Sequence, residues 1–299
     1  MNTAFPIRYV EPVYRPPSEA ESLILPVTDG CSWNKCTFCE MYTAPQKRFR
    51  ARDEDEVMDS IRRSGEVFGD QLRRVFLADG DALVLPTRRL LAILEAIRSH
   101  MPSVRRISSY CLARNLKRKT VAELVALREA GLQFAYLGAE SGDDEVLARV
   151  NKGETHDSTR EALEKLGEAG ITRSVMLLNG LGGEALSGQH ADNSARLINA
   201  TQPEYLATLV VSFPRGDARL KAGFPDWQPL SQQGLFLEME RLLSQLELRH
   251  TVFRSDHASN WLVLKGTLGA DKERLLAQVR AAIAAPEQAP LRPAWARGL

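Results

Sequence analysis

Between residues 22 and 212, six short apolar runs are each followed, directly or after a loop, by a stretch with helical spacing. The runs are SLILPVT (22–28), RRVFLAD (73–79), VRRISSYC (104–111), LQFAYLGAE (132–140), ITRSVMLLNG (171–180) and EYLATLVVSF (204–213). They are near-continuous rather than alternating, which is the pattern of strands buried on both faces. Between them, 53–69 carries Val57, Ile61 and Phe68 at helical spacing, with acids in its first turn where the helix dipole favours them. Residues 87–100 read as a helix with Thr87 as N-cap, and 120–131 as one closed by Gly131. Shorter helices are expected over 143–150 and 157–169, the second closed by Gly170, and a weaker one over 185–200. This alternation predicts an α/β fold built on a parallel sheet with right-handed crossovers. A barrel and an open doubly wound sheet both satisfy it.

After residue 212 the rhythm loosens. Residues 213–230 read as a Pro/Gly-rich loop, 231–249 as a helix, 250–268 as irregular or short-stranded, and 271–285 as a final helix. The expected organisation is an N-terminal extension (1–21), a core (22–212), a C-terminal α/β extension closing the core (213–286) and a tail (287–299). Net charge is +1, which argues against nucleic acid or an anionic membrane surface as partner. No stretch approaches eighteen consecutive apolar residues, and the first residues lack the apolar centre of a signal peptide. The expected compartment is therefore the reducing cytoplasm, where clustered cysteines indicate a metal or catalysis rather than disulfides.

In parallel α/β architectures ligands bind beyond the C-terminal ends of the strands. The first strand is followed by GCSWNKCTFCEMY (30–42), with three of the four cysteines, and the second by Asp79, Gly80 and Asp81. The third ends in Ser108, Ser109 and Tyr110, the fourth in Glu140 and Ser141, and the fifth in Asn179, Gly180, Gly182 and Gly183. Polar and glycine residues thus gather at one rim with the cysteines. The spacing Cys31-x4-Cys36-x2-Cys39 supplies three thiolates. A structural zinc site wants four ligands, and the five histidines have no ligand spacing to the cluster. Cys111 lies seventy-two residues past Cys39, at the end of the third strand, and reads as a buried core thiol. Soft thiolates suit a 4Fe-4S cluster, and three of them leave one iron open to an outside ligand.

Taken together, these residues resemble the radical S-adenosylmethionine (SAM) superfamily, over roughly residues 22–212. The resemblance implies a partial (β/α)6 TIM-like barrel, a 4Fe-4S cluster held by Cys31, Cys36 and Cys39, and SAM as the ligand of the fourth iron. It also implies an enzyme in which reductive cleavage of SAM yields a 5′-deoxyadenosyl radical that abstracts hydrogen from substrate. Phe38 matches the family's aromatic position near the adenine. LADGDAL (77–83) sits where the family carries Gly-Gly-Glu, so Asp79, Gly80 and Asp81 would meet the SAM ammonium, with Asp81 one methylene shorter than the usual Glu. YLGAESGDDEVLARVNKG (136–153) is similar to methylthiotransferases and oxygen-independent coproporphyrinogen oxidases. There Glu140 would contact the ribose, Lys152 would face the SAM carboxylate, and Ser141 would lie beside them. Ser109, Asn179, Gly180 and Val210 complete the implied cofactor contacts. The first cysteine gap is four residues where three is commonest in the family.

Each assignment has a plainer alternative. The Asp-Gly-Asp stretch can be a turn, Ser141 an N-cap, Lys152 a solvated charge and Tyr110 a core residue. Tyr110 and His257 are the candidate catalytic residues, and Asp256, His257 and Asn260 in FRSDHASNW the candidate substrate contacts. The basic run Arg114–Lys119 near the rim could meet an anionic substrate. The implied partners are a small-molecule substrate and a reductant such as flavodoxin or ferredoxin. Two other functions stay open from the residues: an iron–sulfur carrier or sensor that does not cleave SAM, for which Cys111 would complete the ligand set, and an RNA-modifying enzyme. A zinc-stabilised binding module is a third.

Overall fold

Strands form where the apolar runs lie. The computed structural model describes residues 5–297; residues 1–4 of the expected N-terminal extension and 298–299 of the expected tail lie outside it. In chain order the elements begin with β1 (Leu23–Pro26), β2 (Thr28–Asp29), β3 (Arg50–Ala51), α1 (Glu54–Phe68), β4 (Arg74–Ala78), α2 (Thr87–His100) and β5 (Arg106–Cys111). They continue with α3 (Ala113–Leu116), α4 (Val121–Glu129), β6 (Leu132–Glu140), α5 (Asp144–Arg149), α6 (His156–Glu168), β7 (Thr172–Asn179), α7 (Gly183–Thr201) and β8 (Tyr205–Val210). The last are α8 (Ala218–Gly223), α9 (Gln232–Gln245), β9 (Thr251–Ser255), β10 (Leu264–Leu268) and α10 (Lys272–Ala284). All six expected strand–helix units are present, and the fold class is α/β.

Local chemistry sets the boundaries. Asp53 caps α1 by accepting from the backbone of Asp55 and Glu56, ahead of three acids in the first turn. Thr120 and Glu123 form a reciprocal capping box on α4, and Gly131 follows at φ +123°. Thr87 is not a cap: Pro86, in extended conformation, holds that position, and its carbonyl takes the amides of Arg89 and Leu90. The 213–230 stretch contains a short helix, α8, because Leu220 and Phe224 insert into a buried apolar cluster with Trp227. Among the described residues no helix is long and apolar enough to cross a membrane.

The chain divides into two compact units that interleave along the sequence. The first takes the chain up to Asn34, Cys39–Leu137 and Glu164–Arg173; the second takes Lys35–Phe38, Gly138–Leu163 and the chain from Ser174 on. In the first, β1 pairs with β4, β4 with β5 and β5 with β6, all parallel. Val75, Phe76, Leu77 and Ala78 of β4 are all buried, as a central parallel strand requires. Helices α1 and α2 pack on one another, and α2 on α4. In the second, β7 pairs parallel with β8 and β8 with β9, and β10 returns antiparallel along β9. Helix α9 packs against α7 and α10.

Candidate functional site

The cysteine loop starts and ends at a two-residue ladder. β2 and β3 pair antiparallel, Thr28 opposite Ala51 and Asp29 opposite Arg50. The buried Asp29 carboxylate fixes the ladder: Oδ2 accepts from Arg50 Nε at 2.8 Å, and Oδ1 from Arg52 Nε and Nη2 at 3.0 and 2.8 Å. Inside the ladder the chain makes close turns. Gly30 has φ +70°, and a β-carbon there would stand 2.0 Å from the Lys47 carbonyl oxygen. Cys31, Cys36 and Cys39 are all half-buried, whereas Cys111 is buried and its thiol donates to the Leu112 carbonyl at 3.3 Å. Burial pushes the Cys31 thiol up, with the charge of Asp81 acting in the same direction.

The Asp-Gly-Asp turn after β4 lies against this loop within the first unit. The Ala78–Asp79 peptide is cis. Gly80 has φ +36°, and a β-carbon on it would fall 2.1 Å from the Gly30 oxygen and 2.7 Å from Cys31 Cα. Asp79 forms a fully buried ion pair with Lys47, accepts from Gly80 N at 3.0 Å and receives the Tyr42 hydroxyl. Burial, then the neighbouring Asp79 charge, drive the Tyr42 phenol well above its ordinary value. Asp81 is buried and accepts from Ser32 N at 2.8 Å, from Ser32 Oγ, and from Asn115 Nδ2 at 2.9 Å. Burial raises its carboxyl even against these donors. Ser109 is buried and turns its hydroxyl to the Leu77 and Tyr110 carbonyls at 3.1 and 2.9 Å. Tyr110 stands edge-on to Phe76, ring centroids 5.0 Å apart, in an aromatic group with Tyr136. Arg114 lies 3.7 Å over the Trp33 ring. In the same run Lys117 and Arg118 are exposed, while Lys119 is buried and donates to the Leu85 carbonyl at 2.7 Å.

In the second unit, Phe38 packs beside Leu178, Val211 and Phe213 against the buried cluster that includes Val146, Val150 and Leu181. The Lys152 ammonium stands 5.9 Å from the centre of the Phe38 ring and 3.0 Å from Glu140 Oε1. Glu140 is left-handed at φ +64°, which is uncommon outside glycine and costs free energy. A β-carbon on Gly138 would lie 2.1 Å from Glu140 Oε1, so that glycine leaves room for the pair. Ser141 is not the cap of α5; Asp143 is, accepting from Val146 N at 2.9 Å. The Ser141 hydroxyl instead meets Asp143 N at 3.0 Å and His190 Nδ1 at 2.8 Å. The buried Glu238 accepts from Gly180 N at 2.7 Å and from Ser187 Oγ at 2.6 Å, with His190 Nε2 at 3.9 Å. Asn179 and Val210 line a cavity of about 30 Å³ beneath α9, together with Leu235, Phe236 and Met239. Asn179 Oδ1 is buried there without a hydrogen-bond partner.

Asn260 clamps the end of β8: its Oδ1 accepts from Val210 N at 2.8 Å and its Nδ2 donates to the Thr208 carbonyl at 2.8 Å. His257 Nδ1 accepts from Ser259 N at 3.1 Å, which leaves the proton of the neutral ring on Nε2. Burial, then Arg292, lower its pKa. Arg292 donates to the carbonyls of His257, Asn260 and Asp256, and Arg297 to that of Ser259 while lying 3.8 Å over Trp261. Asp256 pairs with Lys265 at 2.9 Å. Lys47, Ser32, Glu238 and Arg292 carry no signal in the sequence, Asn115 enters there only within the basic run Arg114–Lys119, and His190 only among the five scattered histidines. Each is an ordinary polar residue in a loop or helix, and its partner is remote along the chain.

The family model for the radical SAM superfamily matches residues 25–191, over half of the chain. The chain belongs to the radical SAM superfamily. This family uses a 4Fe-4S cluster and SAM. A stretch of 152 residues, half of this chain, is 28% identical to hopanoid C-3 methylase of Methylococcus capsulatus and takes in 27% of that protein. Another of 172 residues, 55% of the chain, is 21% identical to the heme chaperone HemW of Bacillus subtilis and takes in 45% of it. The matches thus span less than half the length of either curated relative. Coproporphyrinogen III oxidase HemN of Escherichia coli, a radical SAM enzyme, superposes with a TM-score of 0.57 at 15% identity, over 75% of this chain and 52% of that one. Its likeness is one of fold, the TIM-like partial barrel.

The donor set fits the family's cluster. Among the described residues no three His, Cys, Asp or Glu side chains are gathered as ligands of a single ion. Cys31, Cys36 and Cys39 are half-buried soft thiols within nine positions of the sequence, the donor type that such a cluster takes.

Proposed function

We propose that this chain is a radical SAM enzyme that generates a 5′-deoxyadenosyl radical and abstracts a hydrogen atom from a small-molecule substrate. The observation that carries the reading is a loop of three half-buried thiols, closed by its own ladder, with the fourth cysteine buried away in a strand. Cys31, Cys36 and Cys39 would hold the cluster and leave one iron for the amino and carboxylate groups of SAM. When bound, the cluster supplies one electron to SAM, whose cleavage gives methionine and the radical. Phe38 would offer an apolar face to the adenine, and the paired Lys152 and Glu140 would meet the carboxylate and the ribose. Gly180, with its amide held by Glu238, would let the backbone approach the adenine edge. Tyr110 and His257 remain candidates for contact with the reacting substrate. The Nε2–H of His257 is a donor suited to a substrate oxygen, with Asp256 in the same turn and Asn260 holding it to β8.

Arg114, whose guanidinium carbon stands 3.7 Å over the ring of Trp33, two residues past Cys31, favours a substrate with an anionic group. Net charge +1 speaks against an RNA substrate. A reductant such as flavodoxin or ferredoxin would deliver the electron, in a reducing compartment such as the cytoplasm. The carrier reading requires a fourth thiolate, and the burial of Cys111 counts against it.

The test is anaerobic. The protein is loaded with iron and sulfide, reduced, and given SAM; the EPR signal is recorded with and without SAM, and 5′-deoxyadenosine is measured by mass spectrometry. A SAM-perturbed cluster signal with 5′-deoxyadenosine supports the reading. A cluster indifferent to SAM, with no cleavage product above background, refutes it and favours the carrier.

A further inference from the structure

The acids matched to the family's ammonium-binding motif already have partners. We infer that Asp81 is a positioning residue for the cysteine loop, and that neither it nor Asp79 takes the SAM ammonium. The inference rests on the proposed reading of the cysteines as cluster ligands.

Asp81 spends both oxygens inside the first unit. Oδ1 accepts the Ser32 amide at 2.8 Å; Oδ2 accepts the Ser32 hydroxyl and, at 2.9 Å, the Asn115 amide nitrogen. The side chain is fully buried. Hydrogen bonds to an ionised acceptor are about twice as strong as neutral ones; three of them already hold this buried carboxylate, so a ligand ammonium would have to compete with them. Asp79 is likewise matched, its charge neutralised by the buried Lys47. Ser32 follows Cys31 directly, so fixing its amide and hydroxyl fixes the chain that carries the first thiolate. Asn115 anchors the other side, since its Oδ1 also accepts the Leu112 amide at 2.7 Å. The short aspartate suits this task. Gly80 is already in close backbone contact with Gly30 and Cys31, and a glutamate would carry its carboxylate one methylene past the Ser32 amide.

The experiment compares wild type with Ser32→Ala, Asp81→Asn and the double variant. In metal-free protein, the rate of Cys31 alkylation by iodoacetamide is measured by peptide mass spectrometry, with Cys39 as internal reference. Loss of one bond to the carboxylate should speed Cys31 about tenfold in Ser32→Ala. The double variant should be no faster than Asp81→Asn, because the two residues form one coupled pair. In reconstituted protein, Asp81→Asn should lower iron content, and the fraction that keeps its cluster should respond to SAM at a concentration within about twofold of wild type. An unchanged Cys31 rate in Ser32→Ala would overturn the inference. So would full iron content in Asp81→Asn with SAM response weakened about tenfold or more. Wild-type protein that takes up no cluster would instead overturn the reading of the cysteines, and the alkylation rates would still decide the role of Asp81.

Discussion

Replacing Lys47 by methionine should unfold the protein several degrees earlier. The ion pair it makes with Asp79 has side-chain exposures of 1% and 2%, so neither charge is screened by water. Removing one partner of such a pair leaves the other charge buried, at a cost of about 3–5 kcal/mol. Methionine keeps the length and most of the volume of lysine, so lost packing adds little. Asp79 retains the Gly80 amide at 3.0 Å and the Tyr42 hydroxyl, which places the expected loss near the lower end, about 3 kcal/mol. Unfolding entropy of about 2.1 cal/mol/K per residue, taken over 299 residues, converts that to a fall of about 5 °C in melting temperature. The assay is a thermal melt of the metal-free protein, with Asp79→Asn and the double variant Lys47→Met/Asp79→Asn run beside it. The double variant removes both charges, so its loss should be clearly smaller than the sum of the single losses. A Lys47→Met protein melting within about 1 °C of wild type, or strict additivity, would refute the reasoning.

Three further outcomes are expected. Gly80→Ala puts a methyl 2.1 Å from the Gly30 oxygen at a positive φ, so it should displace the loop at Cys31 and cut iron uptake at least tenfold, measured by iron content after reconstitution, while far-UV circular dichroism stays near wild type. Glu238→Ala leaves the Gly180 amide and the Ser187 hydroxyl without their acceptor, and should cost about 1–3 kcal/mol in a urea melt, with Glu238→Gln costing less. His257 is held neutral, its pKa lowered from 6.5 by burial and then by Arg292. Its contribution to stability is therefore full above pH 6.5 and is lost as pH falls through the lower folded value. The urea midpoint should drop between pH 7.5 and pH 5, and His257→Gln should flatten that part of the profile.

The six core strands were legible because strands buried on both faces are written as unbroken apolar runs, as in Val75–Ala78. The cysteine loop was legible because three thiols within nine positions have few uses. Its ladder was not: two residues on each side, Thr28–Asp29 and Arg50–Ala51, carry no periodicity, and only the pairing of Asp29 with Arg50 and Arg52 gives them away. Nothing in the polar loop around Lys47 marks it out; its partner Asp79, just past β4, lies thirty-two residues away. The stretch 250–268 reads as irregular or short-stranded because His257, Ser259 and Asn260 interrupt it, and it is short-stranded: those residues lie between β9 and β10. Asn179 and Val210 end β7 and β8 as the apolar runs imply, but nothing in those runs announces that both line the small cavity beneath α9.

The interleaving of the two units limits how such a chain can be inherited. The polypeptide passes from one unit to the other five times, at residues 34, 38, 137, 163 and 173. No single break in the chain yields either unit whole, so neither can be exchanged by recombination as a cassette. The cysteine motif is itself divided, with Cys31 and Cys39 assigned to one unit and Cys36 to the other. A transferred unit would arrive with one or two thiols of the three. A cut past β8, by contrast, leaves the cysteine loop and all six core strands in one piece.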